Sequence, residues 1–166
     1  MKSSHLMRAA GLLGLLSTLP SCDLDDALFF HCDVPNDGNW VSYGRDPGNN
    51  HCVKSESFKD SSNVAQLKAA WDVTGLPGAT GTPVVKDGIA YFGDWGGTLH
   101  AVEALTGKTV WTSTVAPGAP IRSTPTIAGD TVYAGWATFV TAYDIKTGAP
   151  RWVQPIDEHQ YAYIES

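Results

Sequence analysis

The chain has 166 residues, a formal net charge of −6, 17 glycines and 10 prolines, with few charged and many aromatic side chains. The negative balance argues against nucleic acid as a partner, because a phosphate backbone calls for a basic face. The Gly, Pro and aromatic content suits a turn-rich β protein, and the length suits one domain of ordinary size.

Residues 1–21 read as a signal peptide. Lys2 and Arg8 form a positive leader, and Ala9 to Leu19 form an apolar run too short to span a bilayer. Leu19-Pro20-Ser21-Cys22 resembles a bacterial lipobox, which makes Cys22 the lipid-modified first residue of a mature lipoprotein held at a membrane. The alternative is plain secretion with Cys22 free or disulfide-bonded. Asp23 matches an inner-membrane retention signal of enteric bacteria. Export leads to an oxidising compartment, so with Cys22 lipidated the other two of the three cysteines, Cys32 and Cys52, are a natural disulfide pair. His31 and His51 flank those cysteines, yet the spacing fits no standard zinc pattern, and no C-x-x-C-H haem motif occurs.

Residues 22–39 are acidic and irregular, a tether ahead of a folded region over 40–166. Trp40-Val-Ser-Tyr43-Gly44-Arg45 opens that region, and Asn63-Val-Ala-Gln-Leu67-Lys-Ala-Ala-Trp71 reads as an entry strand. Two modules follow, about 72–111 and 112–152. Thr82-Pro83-Val-Val-Lys-Asp87-Gly88 and Thr124-Pro125-Thr-Ile-Ala-Gly129-Asp130 each open a β-hairpin with a two-residue turn, and each proline stands near a strand start, where a missing N–H is tolerated. Asp94-Trp95-Gly96-Gly97 and Gly135-Trp136-Ala137-Thr138 then turn the chain back. Trp95 and Trp136 are 41 positions apart and are expected to cover the blade ends rather than to touch a ligand.

The strongest signal is a repeated segment, A-x-[DE]-x-x-T-G-x-x-x-W. One copy runs from Ala101 through Glu103, Thr106 and Gly107 to Trp111; the other runs from Ala142 through Asp144, Thr147 and Gly148 to Trp152. A period near 40 with short alternating strands suits one four-stranded propeller blade. The glycines supply the positive φ of a tight turn, while the acidic and threonine side chains bond turn amides that a ladder leaves unpaired. The tryptophans are expected to lie flat between blades, with Ala101 and Ala142 leaving room for the ring. Trp71 precedes Trp111 by 40 positions and reads as a third docking tryptophan. The fold class is therefore all-β: a partial, open propeller of two to three four-stranded antiparallel blades. Asp157-Glu158-His159 reads as a solvated loop rather than a metal triad, since neighbouring strand residues point to opposite faces. No G-x-S-x-G, Walker loop or H-E-x-x-H is present.

Together these elements resemble the quinoprotein β-propeller family with tryptophan-docking repeats, and are most similar to PQQ-dependent polyvinyl alcohol dehydrogenase-like proteins. The carriers are Trp40 to Gly44, Asn63 to Trp71, Thr82 to Gly88, Asp94 to Gly97 and Thr106 to Trp111. The resemblance implies a periplasmic protein of a Gram-negative bacterium. It also implies a ring of about eight blades with PQQ and Ca2+ at the channel mouth, alcohol oxidation, and a cytochrome as electron acceptor. It places cofactor-binding residues just before each Ser/Thr-Pro or its equivalent: Thr80, Arg122 and Glu165. Arg122 matches an arginine that bonds the quinone in related alcohol dehydrogenases, and a guanidinium suits carboxylates and carbonyls; the alternative is a solvated loop arginine. Glu165 has the hard oxygens that calcium favours. Thr80 departs from the glutamate of methanol-dehydrogenase-like enzymes. Two modules against about eight blades imply an N-terminal fragment, not catalytic alone, with no catalytic aspartate or calcium cluster to place. The rival expectations are a non-enzymatic propeller lipoprotein of the outer-membrane assembly type, which binds protein partners, and a truncated remnant.

Overall fold

The structure, a computed structural model, describes residues 37–51, 65–115, 117–156 and Ile164. Cys22, Cys32, Cys52, Glu165 and the Asp157-Glu158-His159 run lie outside the described residues. Among the described residues, eight strands form two antiparallel four-stranded sheets. The first comprises β1 (Val84–Lys86), β2 (Ile89–Gly93), β3 (Thr98–Glu103) and β4 (Thr109–Thr114). The second comprises β5 (Thr126–Ala128), β6 (Thr131–Trp136), β7 (Phe139–Asp144) and β8 (Pro150–Pro155). Each sheet is ordered as the chain runs, a pure up-and-down meander. This is an open, partial propeller of two blades.

The hairpin turns follow from backbone chemistry. Asp87 and Gly88 both take positive φ (51° and 77°), the I′ geometry whose twist matches the flanking strands. In the second blade only Gly129 (φ 59°) takes it, as in a II′ turn. The β3–β4 and β7–β8 connections are wider. Gly107 N donates to Glu103 O and Gly148 N to Asp144 O, and Thr147 N and Lys146 N both donate to Asp144 Oδ1 at 3.0 Å. Thr106 Oγ1 donates to Glu103 Oε2 at 2.7 Å and accepts from Lys108 N. Both blades carry a register shift after the alanine of the repeat, between Ala101 and Val102 and between Ala142 and Tyr143.

Between the sheets lies the main core: Val84, Tyr91, Leu99, Ala101 and Trp111 of the first blade against Ile127, Val132, Ala134 and Tyr143 of the second, with Ile121 from the connecting loop. Trp111 is 9% exposed, and its Nε1 donates to Ile145 O at 3.1 Å. Its ring occupies the space a side chain at Gly148 would need. Trp71 repeats the arrangement one blade earlier: Nε1 donates to Ala104 O at 3.0 Å, and its ring lies over Gly107. Trp152 is 47% exposed, with Tyr133 beside it at 5.9 Å, and all of β8 is exposed. The expected strand at Trp71 is not formed. Residues 67–74 have no regular secondary structure, and no strand among the described residues pairs with them.

Segment 37–51 laces the blades together. Trp40 and Val85 exchange both backbone hydrogen bonds, Asn39 Oδ1 accepts from Asp87 N at 2.8 Å, and Val41 O accepts from Ile127 N at 2.8 Å. The free edge of β1 is thereby covered, which lowers the cost of its unpaired backbone groups. The buried guanidinium of Arg45 lies 3.5 Å from Asp37 and 3.6 Å from Asp46. In the second blade Arg151 forks between Asp130 and Asp144, at 2.8 Å from each. These hydrogen bonds from Arg151 are the main cause holding both carboxyls at about 2, well below the usual carboxylate range.

Two outcomes are expected. Gly148→Ala loses both the positive φ (71°) and the Trp111 seat, a cost of about 2–4 kcal/mol, whereas Gly88→Ala, with open space around it, costs only about 1 kcal/mol. Urea midpoints measure the difference, and equal costs would remove the ring-on-glycine contact as a source of stability. Because Asp130 and Asp144 have depressed folded-state values, their contribution is complete above pH about 4 and is lost as pH falls toward 2. Melting temperatures recorded from pH 5 to 2 are expected to fall more steeply in the parent than in Arg151→Met.

Candidate functional site

The antiparallel meander puts the hairpin turns, the T-G turns and the Arg151 fork at one end of the blades. At the other end lie the 94–97 and 137–138 turns and the connecting loop between the blades. Thr80 and Arg122, predicted to approach a cofactor, are both at this second end and both exposed. Their surroundings bring the two chain stretches together. Thr82 N donates to Thr124 Oγ1 at 3.1 Å. Gly81 packs so closely that a Cβ there would stand 2.6 Å from Ser123 O and 3.1 Å from Arg122 O. Only glycine permits that approach, so Gly81 sets the seam on which Thr80 and Arg122 become neighbours in space.

Two anchors fix the seam. Ser123, buried beside Arg122, donates through Oγ to Gly135 O at 3.0 Å and accepts from Gly135 N at 2.8 Å. Ile121 fills the space over Gly93, and Ile164 fills the matching space over Gly135. The turn at Asp94 reaches both connecting stretches. Asp94 O accepts from Ile121 N at 2.9 Å, Gly96 O accepts from Gly118 N at 2.8 Å, and Trp95 N donates to Gly78 O at 2.9 Å. The turn itself is braced by the buried Asp94 carboxylate: Oδ1 accepts from Thr98 N at 2.9 Å, and Oδ2 pairs with His100 Nε2 at 2.8 Å. Phe92 stacks on that imidazole at 5.1 Å and 11°.

The Asp94–His100 pair was not singled out by sequence reasoning. Its signal is a difference between the modules: Asp94-Trp95-Gly96-Gly97 aligns with Gly135-Trp136-Ala137-Thr138, and His100 has Thr141 as its counterpart 41 positions on, so the second copy lacks both partners. The remaining predicted site residue, Glu165, is outside the described residues, although its neighbour Ile164 donates from N to Ala137 O at 2.9 Å. Among the described residues no group of three or more His, Cys, Asp or Glu side chains can hold a metal. Chemically the seam carries an exposed arginine and an exposed threonine, residue types that suit an anionic, carbonyl-bearing ligand and not a cation.

Fold and seam together define a tryptophan-docked propeller with its candidate ligand groups on the loops between blades. A profile of the family described as outer membrane protein assembly factor BamB (PQQ_2) matches residues 62–165, and the chain belongs to this PQQ-binding-like propeller family. It is 32% identical over 162 residues to the dehydrogenase subunit of alcohol dehydrogenase (quinone) from Gluconacetobacter polyoxogenes, a match covering 86% of this chain and 21% of that protein. It is 37% identical over 81 residues to lupanine 17-hydroxylase [cytochrome c] from a Pseudomonas species, covering 46% of this chain and 11% of that one. The crystal structure of quinohemoprotein alcohol dehydrogenase from Comamonas testosteroni superposes with a TM-score of 0.63 at 25% identity, covering 77% of this chain and 21% of that one. The chain thus spans about a fifth of the length of the quinone alcohol dehydrogenase subunit it matches.

Ser123→Ala removes one hydroxyl and leaves the buried N–H and C=O of Gly135 without their partner. A loss of about 1–3 kcal/mol in unfolding free energy is expected. A loss below a few tenths, read from denaturant melts, would show that the seam is not held there.

Proposed function

We propose that this chain forms two blades of an exported quinoprotein alcohol dehydrogenase of the polyvinyl alcohol dehydrogenase type, using PQQ, and that the two blades alone are not catalytic. The supporting observation is the seam that makes Thr80 and Arg122 neighbours through Gly81. In the same direction, the quinone alcohol dehydrogenase subunit is 32% identical over 86% of the chain. PQQ, when bound, supplies the acceptor for the hydride removed from the alcohol carbon. Arg122 holds a carboxylate or carbonyl of that ligand by charge-assisted hydrogen bonds, and Thr80 adds a neutral one. Among the described residues no group of three or more His, Cys, Asp or Glu side chains fits calcium, so no calcium ligand is assigned to them. On this reading, Cys22 is the lipid anchor to a periplasmic membrane surface, Cys32 and Cys52 form a disulfide, Glu165 extends the seam, and a cytochrome takes the electrons.

A second reading, a non-enzymatic propeller that binds other proteins, is favoured by the description of the matching family, outer membrane protein assembly factor. Titration of the purified full chain with PQQ separates the two. Saturable binding is expected, weakened on the order of ten- to a hundredfold by Arg122→Ala, as for loss of a hydrogen bond to a charged group. Absence of any PQQ binding would leave the second reading in place.

A further inference from the structure

The two corner tryptophans, 41 positions apart, take opposite directions. Trp136 folds back on its own hairpin: its Nε1 donates to Thr141 Oγ1 at 2.9 Å, and its ring stacks on Phe139 at 4.6 Å and 16°. Trp95 turns away from its sheet. Its ring lies over Gly78, and its Nε1 donates to Thr80 Oγ1 at 3.3 Å. Strand register shows what differs between the corners. Gly93 pairs with Leu99 and Gly135 with Val140, and Ile121 and Ile164 fill the space over these two glycines. The two glycines therefore hold the same place in their sheets. Between Gly93 and Thr98 the first corner has four residues, Asp94 to Gly97; between Gly135 and Phe139 the second has three, Trp136 to Thr138. The first corner is one residue longer, and the extra residue is the aspartate ahead of the tryptophan.

That aspartate closes the inward seat. The places of Phe139 and Thr141 are held in the first blade by Thr98 and His100. Asp94 Oδ1 accepts from Thr98 N at 2.9 Å, and Oδ2 pairs with His100 Nε2 at 2.8 Å. A carboxylate only accepts, so Nε2 carries the hydrogen and offers the Trp95 N–H no lone pair. Thr98 Oγ1 is bonded to Thr114 Oγ1 at 2.7 Å, and the His100 ring is stacked on Phe92. Bringing an indole into this seat would strand the buried Asp94 carboxylate, which is strongly destabilising. The outward seat is open by contrast. Gly78 has no Cβ, which would stand 2.8 Å from the ring carbons, and Thr80 Oγ1 supplies the acceptor.

We propose that Asp94, as an inserted residue, and His100 form a conformational selector: together they exclude Trp95 from its own sheet and make it a strap over the stretch that enters the first blade. The strap holds that stretch through backbone as well as side chain, since Trp95 N donates to Gly78 O at 2.9 Å. In the second blade, with Thr141 as acceptor and no inserted carboxylate, the indole stays on its own hairpin.

The test follows the indole N–H protons by NMR in the full chain, in the parent, in a variant combining deletion of Asp94 with His100→Thr, and in Thr141→Val. In the parent, the Trp95 indole proton is expected to show cross-relaxation with the Thr80 side chain. In the deletion variant that contact is expected to vanish and to be replaced by one with the side chain at position 100. A Thr80 contact retained in the folded deletion variant would overturn the proposal. Thr141→Val asks the reverse question in the second blade. Exchange of the Trp136 indole proton with solvent is expected to quicken about two- to tenfold, as for the loss of one net hydrogen bond. Unchanged exchange would show that the acceptor at this place does not hold the ring. That result would overturn the proposal even where the deletion variant does not fold.

Discussion

The structure depends on an indole ring laid on a glycine. Trp111 contributes a large apolar surface, one N–H that needs an acceptor, and a flat shape that tolerates nothing but hydrogen beneath it. Gly148 meets the last requirement and Ile145 O the second. The same glycine must take positive φ for its turn, so one residue answers two independent demands. Two four-stranded meanders, each with one apolar face to bury, are thereby set at one spacing.

This explains why so much of the architecture was legible. Period, turn chemistry and alternation all pointed to the same answer, and agreement across levels is what makes a sequence specify a fold. Asp87-Gly88 and Gly129-Asp130 stand at the turns expected of them, and Asp144 and Thr147 bond the turn amides that the ladder omits. Trp71 shows the limit. Its side chain docks as the repeat predicts, while its backbone forms no strand, because docking needs only the neighbouring turn whereas a strand needs a neighbouring strand.

The seam was legible only in part. Thr80 and Arg122 were suggested by resemblance, but the close approach of Gly81 to Ser123 that makes them neighbours joins stretches about 40 residues apart, and no local pattern announces it. Nor does composition reveal that Trp95 turns outward while Trp136 turns inward. That difference arises from what lies across the corner: Gly78 leaves a flat seat for one ring, and Phe139 offers a stacking partner to the other. The Arg151 fork was likewise hidden, since it requires two turns of the second blade to converge on one guanidinium.

The outermost strand of the second blade has a blunt rim. Pro150 and Pro155 bracket it, and neither has an N–H to offer to a foreign strand. Arg151, inside the same strand, adds a charge that further discourages edge-to-edge growth into fibres. The first blade has threonines at both matching places, Thr109 and Thr114. Two features that look incidental in a repeat thus act as gatekeepers, blocking sideways stacking while the broad face around the indole stays receptive to a properly shaped neighbour.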